Sequence, residues 1–334
     1  MLSFIIPCHN VDHFIQRCLD SIFQCGLDEN IFEVLCVDDC STDGTGAILR
    51  NEVERYGNLR LISLESNKGC GGSRNVGIRE ARGRYLWFVD ADDLVKKEGL
   101  ANAIEMVDKD GLDVLCFNYE RVNDNDEVLS RSLMFDKVPP QDGYAFAKKA
   151  FDGGIVNHMG YVWRFIYRTN YLRQHQLFFP EKVRWEDTVF MPKALLEAER
   201  VAAVSDVLYS YRVNVASISG TFGSVYPASS IYEFAFCAGG DLLKFSEEVK
   251  DKELSLSIQN TAVKKYINGF PIYLFRTSRI ERKRFYALIK DMKLELKPLK
   301  REMKLLERLL LLPVIGPTTA EMGAFIYRFN HKIQ

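Results

Sequence analysis

Asp90 and Asp92 flank one alanine directly after the apolar run Tyr85 to Val89, so two carboxylates stand where a buried strand releases the chain. Hard oxygen donors at that spacing can share one Mn²⁺ or Mg²⁺. With a diphosphate also bound, such an ion neutralises the charge that builds up on a departing phosphate. A second acidic pair, Asp38 and Asp39, closes the run Phe32 to Val37, where a carboxylate can accept a hydrogen bond from a base or a ribose. Gly69 to Gly72, followed by Arg74, lets backbone approach a ligand and adds a guanidinium able to pair with phosphate or to lock an aspartate. Taken singly, each has a plainer reading: a capped, solvated turn for the aspartates and a tight turn for the glycines.

Other chemistries are excluded by the same inspection. His9 and His13 have i, i+4 spacing, but Asn10, Val11 and Asp12 between them do not make the H-E-x-x-H of a zinc helix. The first strand ends in Pro7-Cys8-His9-Asn10 with no G-x-G-x-x-G behind it, and no G-x-x-x-x-G-K-[ST] occurs, so dehydrogenase and P-loop readings fall. The 8 cysteines include no C-x-x-C pair, and buried free thiols are expected.

The elements that hold these clusters alternate between two periodicities, as in a parallel sheet with crossover helices. Strands are expected at Leu2 to Ile6, Phe32 to Val37, Leu59 to Leu64, Tyr85 to Val89 and Asp113 to Tyr119. Between the first two, Asp12 is expected to cap a helix burying Phe14, Ile15, Cys18, Leu19, Ile22 and Phe23. Another helix is expected after the glycine-rich segment Gly69 to Gly72, reaching to about Ala81, and a hairpin turning at Asn123 to Asp126. Each polar cluster of the first third lies just beyond a strand's carboxyl end, the place where open α/β sheets bind ligands.

These residues resemble family 2 inverting glycosyltransferases with the GT-A fold. The resemblance rests on Ile5-Ile6-Pro7-Cys8-His9-Asn10, Val37-Asp38-Asp39 through Thr45, Asn67 to Gly69, Ser73-Arg74-Asn75-Val76-Gly77-Ile78 and Phe88-Val89-Asp90-Ala91-Asp92-Asp93, in that order. It continues more loosely through Trp163 to Leu172, Trp185-Glu186-Asp187 and Tyr209 to Ser219, as in bacterial enzymes of capsule, exopolysaccharide or lipopolysaccharide synthesis. It implies an α/β fold, Rossmann-like, with a mostly parallel sheet and flanking helices, followed by an α-helical C-terminal region. The expected glycosyltransferase domain is 1–223, divided into a nucleotide-sugar half 1–93 and an acceptor half 94–223, with the helical region at 224–334.

Carried over to these positions, the resemblance implies a UDP-sugar donor pocket made by Pro7, His9, Asn10, Asp38, Asp39, Lys68, Gly69, Arg74, Asp90 and Ala91. In it Asp39 binds uracil, His9 packs on the base where an aromatic side chain commonly stands, and Arg74 steadies the pocket. Asp92 is the direct metal ligand, with Asp90 holding ribose, sugar or metal. The ion is Mn²⁺ or Mg²⁺, its shell completed by diphosphate and water. Asp187 is the general base, and Trp185, Glu186, Asp93 and Arg212 meet the acceptor or support the site from behind. The reaction is a single inverting displacement onto a hydroxyl of a saccharide acceptor on a lipid carrier. Two other classes compete: Phe88 to Leu94 also resembles the D-x-D strand of haloacid-dehalogenase-type phosphatases, though without the Gly-Thr that comes after it there, and a non-catalytic scaffold would keep only the fold.

Composition narrows the setting. At 334 residues, with 47% hydrophobic and 27% charged residues, the chain suits about two soluble domains. A net charge of -1 advertises no nucleic-acid partner, and no apolar run approaches the roughly 18 residues of a membrane span. With no signal-peptide core after Met1, a cytoplasmic chain is expected. Charge is nevertheless uneven. Between Arg276 and Arg308 twelve basic residues face five acidic ones. The segment 276–312 carries one apolar stripe from Phe285 to Leu310 with Lys290, Lys293, Lys297, Lys300, Lys304 and Arg308 opposite, interrupted at Pro298. Packing on a domain, attachment to anionic lipid at the inner face of the plasma membrane, and a coiled-coil dimer all remain open for it.

Overall fold

A computed structural model describes residues 1–152, 161–181, 186–213, 242 and 244–258. Its elements run β1 (Leu2–Cys8), α1 (Ile15–Phe23), β2 (Phe32–Asp38), α2 (Thr45–Arg55), β3 (Leu59–Ser63), α3 (Gly69–Glu80), β4 (Tyr85–Phe88), β5 (Leu94–Val95) and α4 (Leu100–Asp110). They continue through β6 (Val114–Val122), β7 (Val128–Ser132), β8 (Val138–Gln141), α5 (Gly143–Asp152), β9 (Phe165–Arg168), α6 (Thr169–Gln174), α7 (Asp187–Leu196) and β10 (Val201–Arg212).

All ten strands join one sheet in the order β3-β2-β1-β4-β9-β6-β10-β5, with β7 added to β6 and β8 to β10. The block β3-β2-β1-β4 is wholly parallel, as the crossover pattern predicts. Beyond it β9 runs antiparallel to both β4 and β6, while β10 returns parallel to β6. Helices cover both faces, as in a GT-A fold. Alternation along the strands sorts the core: Phe4 and Ile6 of β1 face the layer of α1 and α4, and Ile5 faces that of α3, α6 and α7. Because β2 and β4 flank β1 on opposite sides, strand order reverses there, and the crevice at their carboxyl ends is the natural binding place.

Several expectations change. Asp12 does not cap α1, whose N-cap is Phe14; the Asp12 carboxylate instead accepts from Gly44 N at 3.3 Å, stitching two loops together. The glycines 69–72 are the first turns of α3 rather than a loop ahead of it. Strand β6 runs on to Val122, because the hairpin at Asn123 to Asp126 extends its pairing with β7. Of the 8 cysteines, Cys8, Cys18, Cys25, Cys36 and Cys116 are buried free thiols, as expected, while Cys40 is half-buried and Cys70 exposed. The boundary at 223, Cys237 and the basic stripe of 276–312 lie outside the described residues.

Candidate functional site

The loops leaving β1 and β2 are sewn together by their own polar side chains. Asn10 takes φ 53°, which aims its side chain so that Oδ1 accepts from Thr42 N at 2.8 Å. Val11 N donates to Thr45 Oγ1 at 2.8 Å. His9 lies exposed on this seam with Nδ1 2.7 Å from the Asp39 carbonyl oxygen, which can only accept, so the proton sits on Nδ1. Its Nε2 is then free to accept from Asn10 Nδ2 at 3.4 Å. The ring is thereby held in one tautomer, presenting an aromatic face at the crevice rim. Pro7 is the half-buried residue of β1 beside it.

Asp39 is 3% exposed and receives Lys68 N on Oδ1 at 2.7 Å and Gly69 N on Oδ2 at 2.8 Å. It therefore anchors the first N–H groups of α3, as a carboxylate at a helix N-terminus does favourably. Asp38 turns inward on its own loop, accepting from Ser41 N at 3.0 Å. Of the acidic pair, then, Asp39 reaches the helix start and Asp38 shapes the turn.

The glycines of α3 serve close packing. A Cβ at Gly71 would lie 2.5 Å from the Pro180 carbonyl oxygen, and one at Gly77 would lie 2.1 Å from Ile5 Cγ2. At Gly71 the expectation of backbone approaching a ligand is corrected: the neighbour is the protein itself, as it is at Gly77. The consequence is functional, because α3 pressed against Pro180 draws in the chain that leads to α7. Arg74, 4% exposed on α3, donates to Glu186 Oε1 and, at 2.7 Å, to Asp90 Oδ1. Both carboxylates hold the guanidinium firmly charged despite its burial. Glu186 is thus a buried partner of Arg74, behind the reacting region.

The turn after β4 splits its three carboxylates among three duties. Asp90 faces Arg74. Asp93 points into the core, where Oδ1 accepts from Arg212 N at 2.7 Å and Oδ2 from the Tyr209 hydroxyl at 2.8 Å. Burial, then Asp92 and Asp90, push its carboxyl well up. Of the two expectations for Asp93 and for Arg212, which is 1% exposed, their burial favours support from behind over contact with an acceptor. Arg212 instead donates to the Asp92 carbonyl oxygen at 2.9 Å, to the Asn123 carbonyl oxygen at 3.0 Å and to Asp126 Oδ1 at 2.6 Å. Both residues support the turn from behind. Asp92 is half-buried and its carboxylate has no side-chain donor among the hydrogen bonds of the described residues, and burial, with the Asp90 charge second, pushes it up to about 6. A desolvated carboxylate beside a second one is a donor set that fits a hard divalent cation.

Asp187 opens α7 and is half-buried in its first turn. Its charge acts on Tyr161, Tyr167 and Cys70, so it lies within electrostatic reach of those three groups. Ala91 is 4% exposed within that turn. Trp185 lies outside the described residues. Sequence reasoning missed Tyr209, whose hydroxyl also receives Asp90 N at 3.0 Å, and Asn67, whose side chain donates to the Asp39 carbonyl oxygen at 3.2 Å. Their one signal in the sequence is that they lie within the segments Asn67 to Gly69 and Tyr209 to Ser219 that carry the family resemblance.

The chain is similar in sequence and fold to known proteins. The model of "Glycosyl transferase family 2" matches residues 3–179. The chain belongs to this family. EpsJ of Bacillus subtilis (strain 168), named an uncharacterized glycosyltransferase, is 31% identical over 221 residues, covering 66% of this chain and 63% of that protein. TarS of Staphylococcus aureus (strain MW2), named a poly(ribitol-phosphate) beta-N-acetylglucosaminyltransferase, is 34% identical over 214 residues, 63% of this chain and 35% of that protein. The chain thus aligns with just under two thirds of one relative and about a third of the other. A crystal structure of S. aureus TarS 1-349 in complex with UDP-GlcNAc superposes with a TM-score of 0.64 at 24% identity, over 87% of this chain and 88% of that one, which shows the shared fold. Neither the phosphatase nor the scaffold reading gains support from these family 2 relatives. Among the described residues no helix is long and apolar enough to cross a membrane.

Proposed function

We propose that this family 2 chain transfers a hexosyl or N-acetylhexosaminyl group from a UDP-sugar to a hydroxyl of a saccharide acceptor, with inversion, in surface polysaccharide synthesis. The observation that carries it is the buried bridge Asp90–Arg74–Glu186, which ties the acidic turn after β4 to the residue preceding Asp187. A leaving-group site and a base on opposite sides of one crevice are what a single displacement needs. The donor reading draws on the S. aureus relative seen with UDP-GlcNAc and on the seam of His9, Asn10, Asp39, Lys68 and Gly69.

An acceptor hydroxyl is a poor nucleophile at neutral pH, so Asp187 takes its proton as the oxygen attacks the anomeric carbon. Asp90 and Asp92 would hold Mn²⁺ or Mg²⁺, whose charge offsets that of the departing diphosphate. Arg74 fixes the Asp90 carboxylate, and Arg212 and Tyr209 fix the turn's backbone, so the donor set is formed before substrate arrives. The base of the nucleotide lies on the β1–β2 seam, with His9 on its face and Asp39 at its edge. The acceptor is carried on a lipid at the inner face of the plasma membrane, a reading supported by the basic, striped sequence of 276–312.

Incubating the protein and Mn²⁺ with a panel of UDP-sugars tests the class: UDP release from one donor, abolished by chelation, is expected. NMR of a transferred product should show the anomeric configuration inverted. Retention of configuration would refute the single displacement and the role of Asp187 together.

A further inference from the structure

Behind and beside the acidic turn stands an array of aromatic rings that the donor chemistry does not use. Trp163 stacks on Tyr209 at 4.4 Å between centroids and 8° between planes, on Tyr211 at 5.6 Å and 14°, and on Tyr161 at 5.0 Å and 19°. Tyr119 meets Trp163 edge-on at 4.9 Å and 82°, bracing the array from the β6 side. The short helical turn Val162–Arg164 that carries Trp163 is tied to the sheet by Trp87 Nε1, which donates to the Trp163 carbonyl oxygen at 2.7 Å. Tyr209 and Trp163 are buried, Tyr211 is half-buried and Tyr161 is 36% exposed, so the array runs from the core out to an open ring.

Its position is set by hydrogen bonds rather than by proximity alone. The Tyr209 hydroxyl receives Asp90 N and donates to Asp93, and Arg212, next to Tyr211, holds the Asp92 carbonyl oxygen. At the outer end, burial, then Tyr119 and Asp187, push the Tyr161 hydroxyl up, so Asp187 lies within electrostatic reach of that ring. The array therefore runs from the acidic turn to a ring on which the charge of Asp187, the proposed base, acts, and an acceptor would lie along it.

Resting on the transferase reading, we propose that the exposed end of this array, at Tyr161, is the acceptor subsite, and that it takes a pyranose ring rather than an open-chain polyol phosphate. A pyranose presents a flat face of C–H groups with slight positive charge to the negative face of an aromatic ring, and keeps its hydroxyls at the rim. An open-chain polyol phosphate has no such face and carries charge that an aromatic surface does not offset. A rigid, pre-stacked platform also orders the acceptor at little entropic cost, because its rings are already fixed by their neighbours.

The test uses the full chain with Mn²⁺ and UDP, probed by saturation-transfer NMR with methyl β-D-glucopyranoside and methyl β-D-galactopyranoside. Ring C–H protons should receive saturation more strongly than the methyl group. Tyr161→Ala should weaken pyranoside binding roughly threefold to tenfold, and Tyr161→Phe should restore it, since the ring and not the hydroxyl makes the contact. The proposal is overturned if neither pyranoside takes up saturation, if Tyr161→Ala binds as well as the wild type, or if ribitol 5-phosphate displaces the pyranosides. UDP binding, measured by calorimetry, reports the donor side separately: its absence in the wild type would strike the transferase reading and leave the platform to be judged by the sugars.

Discussion

Replacing Asp92 by Asn should make the metal-free protein more stable while removing its metal-dependent activity. Folding raises the Asp92 carboxyl from 3.8 to about 6, first by burial and then through Asp90. Between those pH values the folded protein holds a proton that the unfolded chain has released. Stability from this group is therefore complete below about pH 4 and is lost as pH rises through about 6. The full loss corresponds to about 3 kcal/mol, and partial exposure to water reduces it, so about 1–3 kcal/mol is the expected gain for Asp92→Asn at neutral pH. Urea unfolding of both proteins across this range, in chelator, measures it. The difference should be small near pH 4, where both side chains are neutral, and should open as pH rises. Adding Mn²⁺ should raise the wild-type midpoint clearly more than the variant's, because the variant loses one of two negative oxygen ligands and binding to the folded state adds stability. A stability difference that does not grow with pH, or a variant that gains equally from Mn²⁺, would refute the reasoning.

Four other outcomes are expected. Arg74→Met and Glu186→Met should each cost about 3–5 kcal/mol by stranding a buried charge, and the double variant should cost clearly less than the two together; additivity in urea melts would deny the pair. Asp187→Asn should keep UDP-sugar affinity by calorimetry but transfer sugar about 10²–10⁴-fold more slowly, which a merely structural Asp187 would not do. Gly77→Ala should lose about 1–3 kcal/mol in thermal or urea unfolding although alanine favours helices, and combined with Ile5→Ala it should cost clearly less than the two singles together, since the added Cβ meets Ile5 Cγ2, which alanine lacks. If 276–312 lies at a lipid surface, the chain should sediment with anionic liposomes at low salt and release at high salt, and changing Lys293, Lys297, Lys300 and Lys304 to Glu should abolish this. Wild-type protein left wholly in the supernatant would end that reading.

The parallel block was legible because strands buried on both faces read as unbroken apolar runs, each cut off by the acidic or polar residues that form the site. Asp39 and the Asp90–Asp92 turn were legible for the same reason. Strand β9 was not: its four residues, Phe165–Arg168, carry too little pattern, and their placement is decided by β4 and β6 on either side. Nor could local pattern show that Glu186 pairs with Arg74 across 112 positions, or that Asp93 faces inward beside Asp90 and Asp92. Those are tertiary facts. The misassigned cap at Asp12 has a related cause, for the side chain had two loops to choose between and the more distant one won.

Strand β9 also governs how the chain must be made. On a ribosome the parallel block β1–β4 emerges complete by residue 88, yet the free side of β4 (Tyr85, Leu86 and Trp87) is closed only when Phe165–Arg168 arrives. Until then an apolar strand offers unpaired backbone to any passing chain, the usual start of aggregation. The polypeptide between them holds α4, the β6–β7 hairpin and α5, so the nucleotide-side half cannot be cut away as a self-sufficient module. Fragments ending before residue 165 should behave as sticky intermediates, and grafting this half onto a different acceptor half would succeed only if the seam were moved beyond β9. Heredity is constrained likewise: recombination can exchange the segments after β9 more safely than anything between β4 and it.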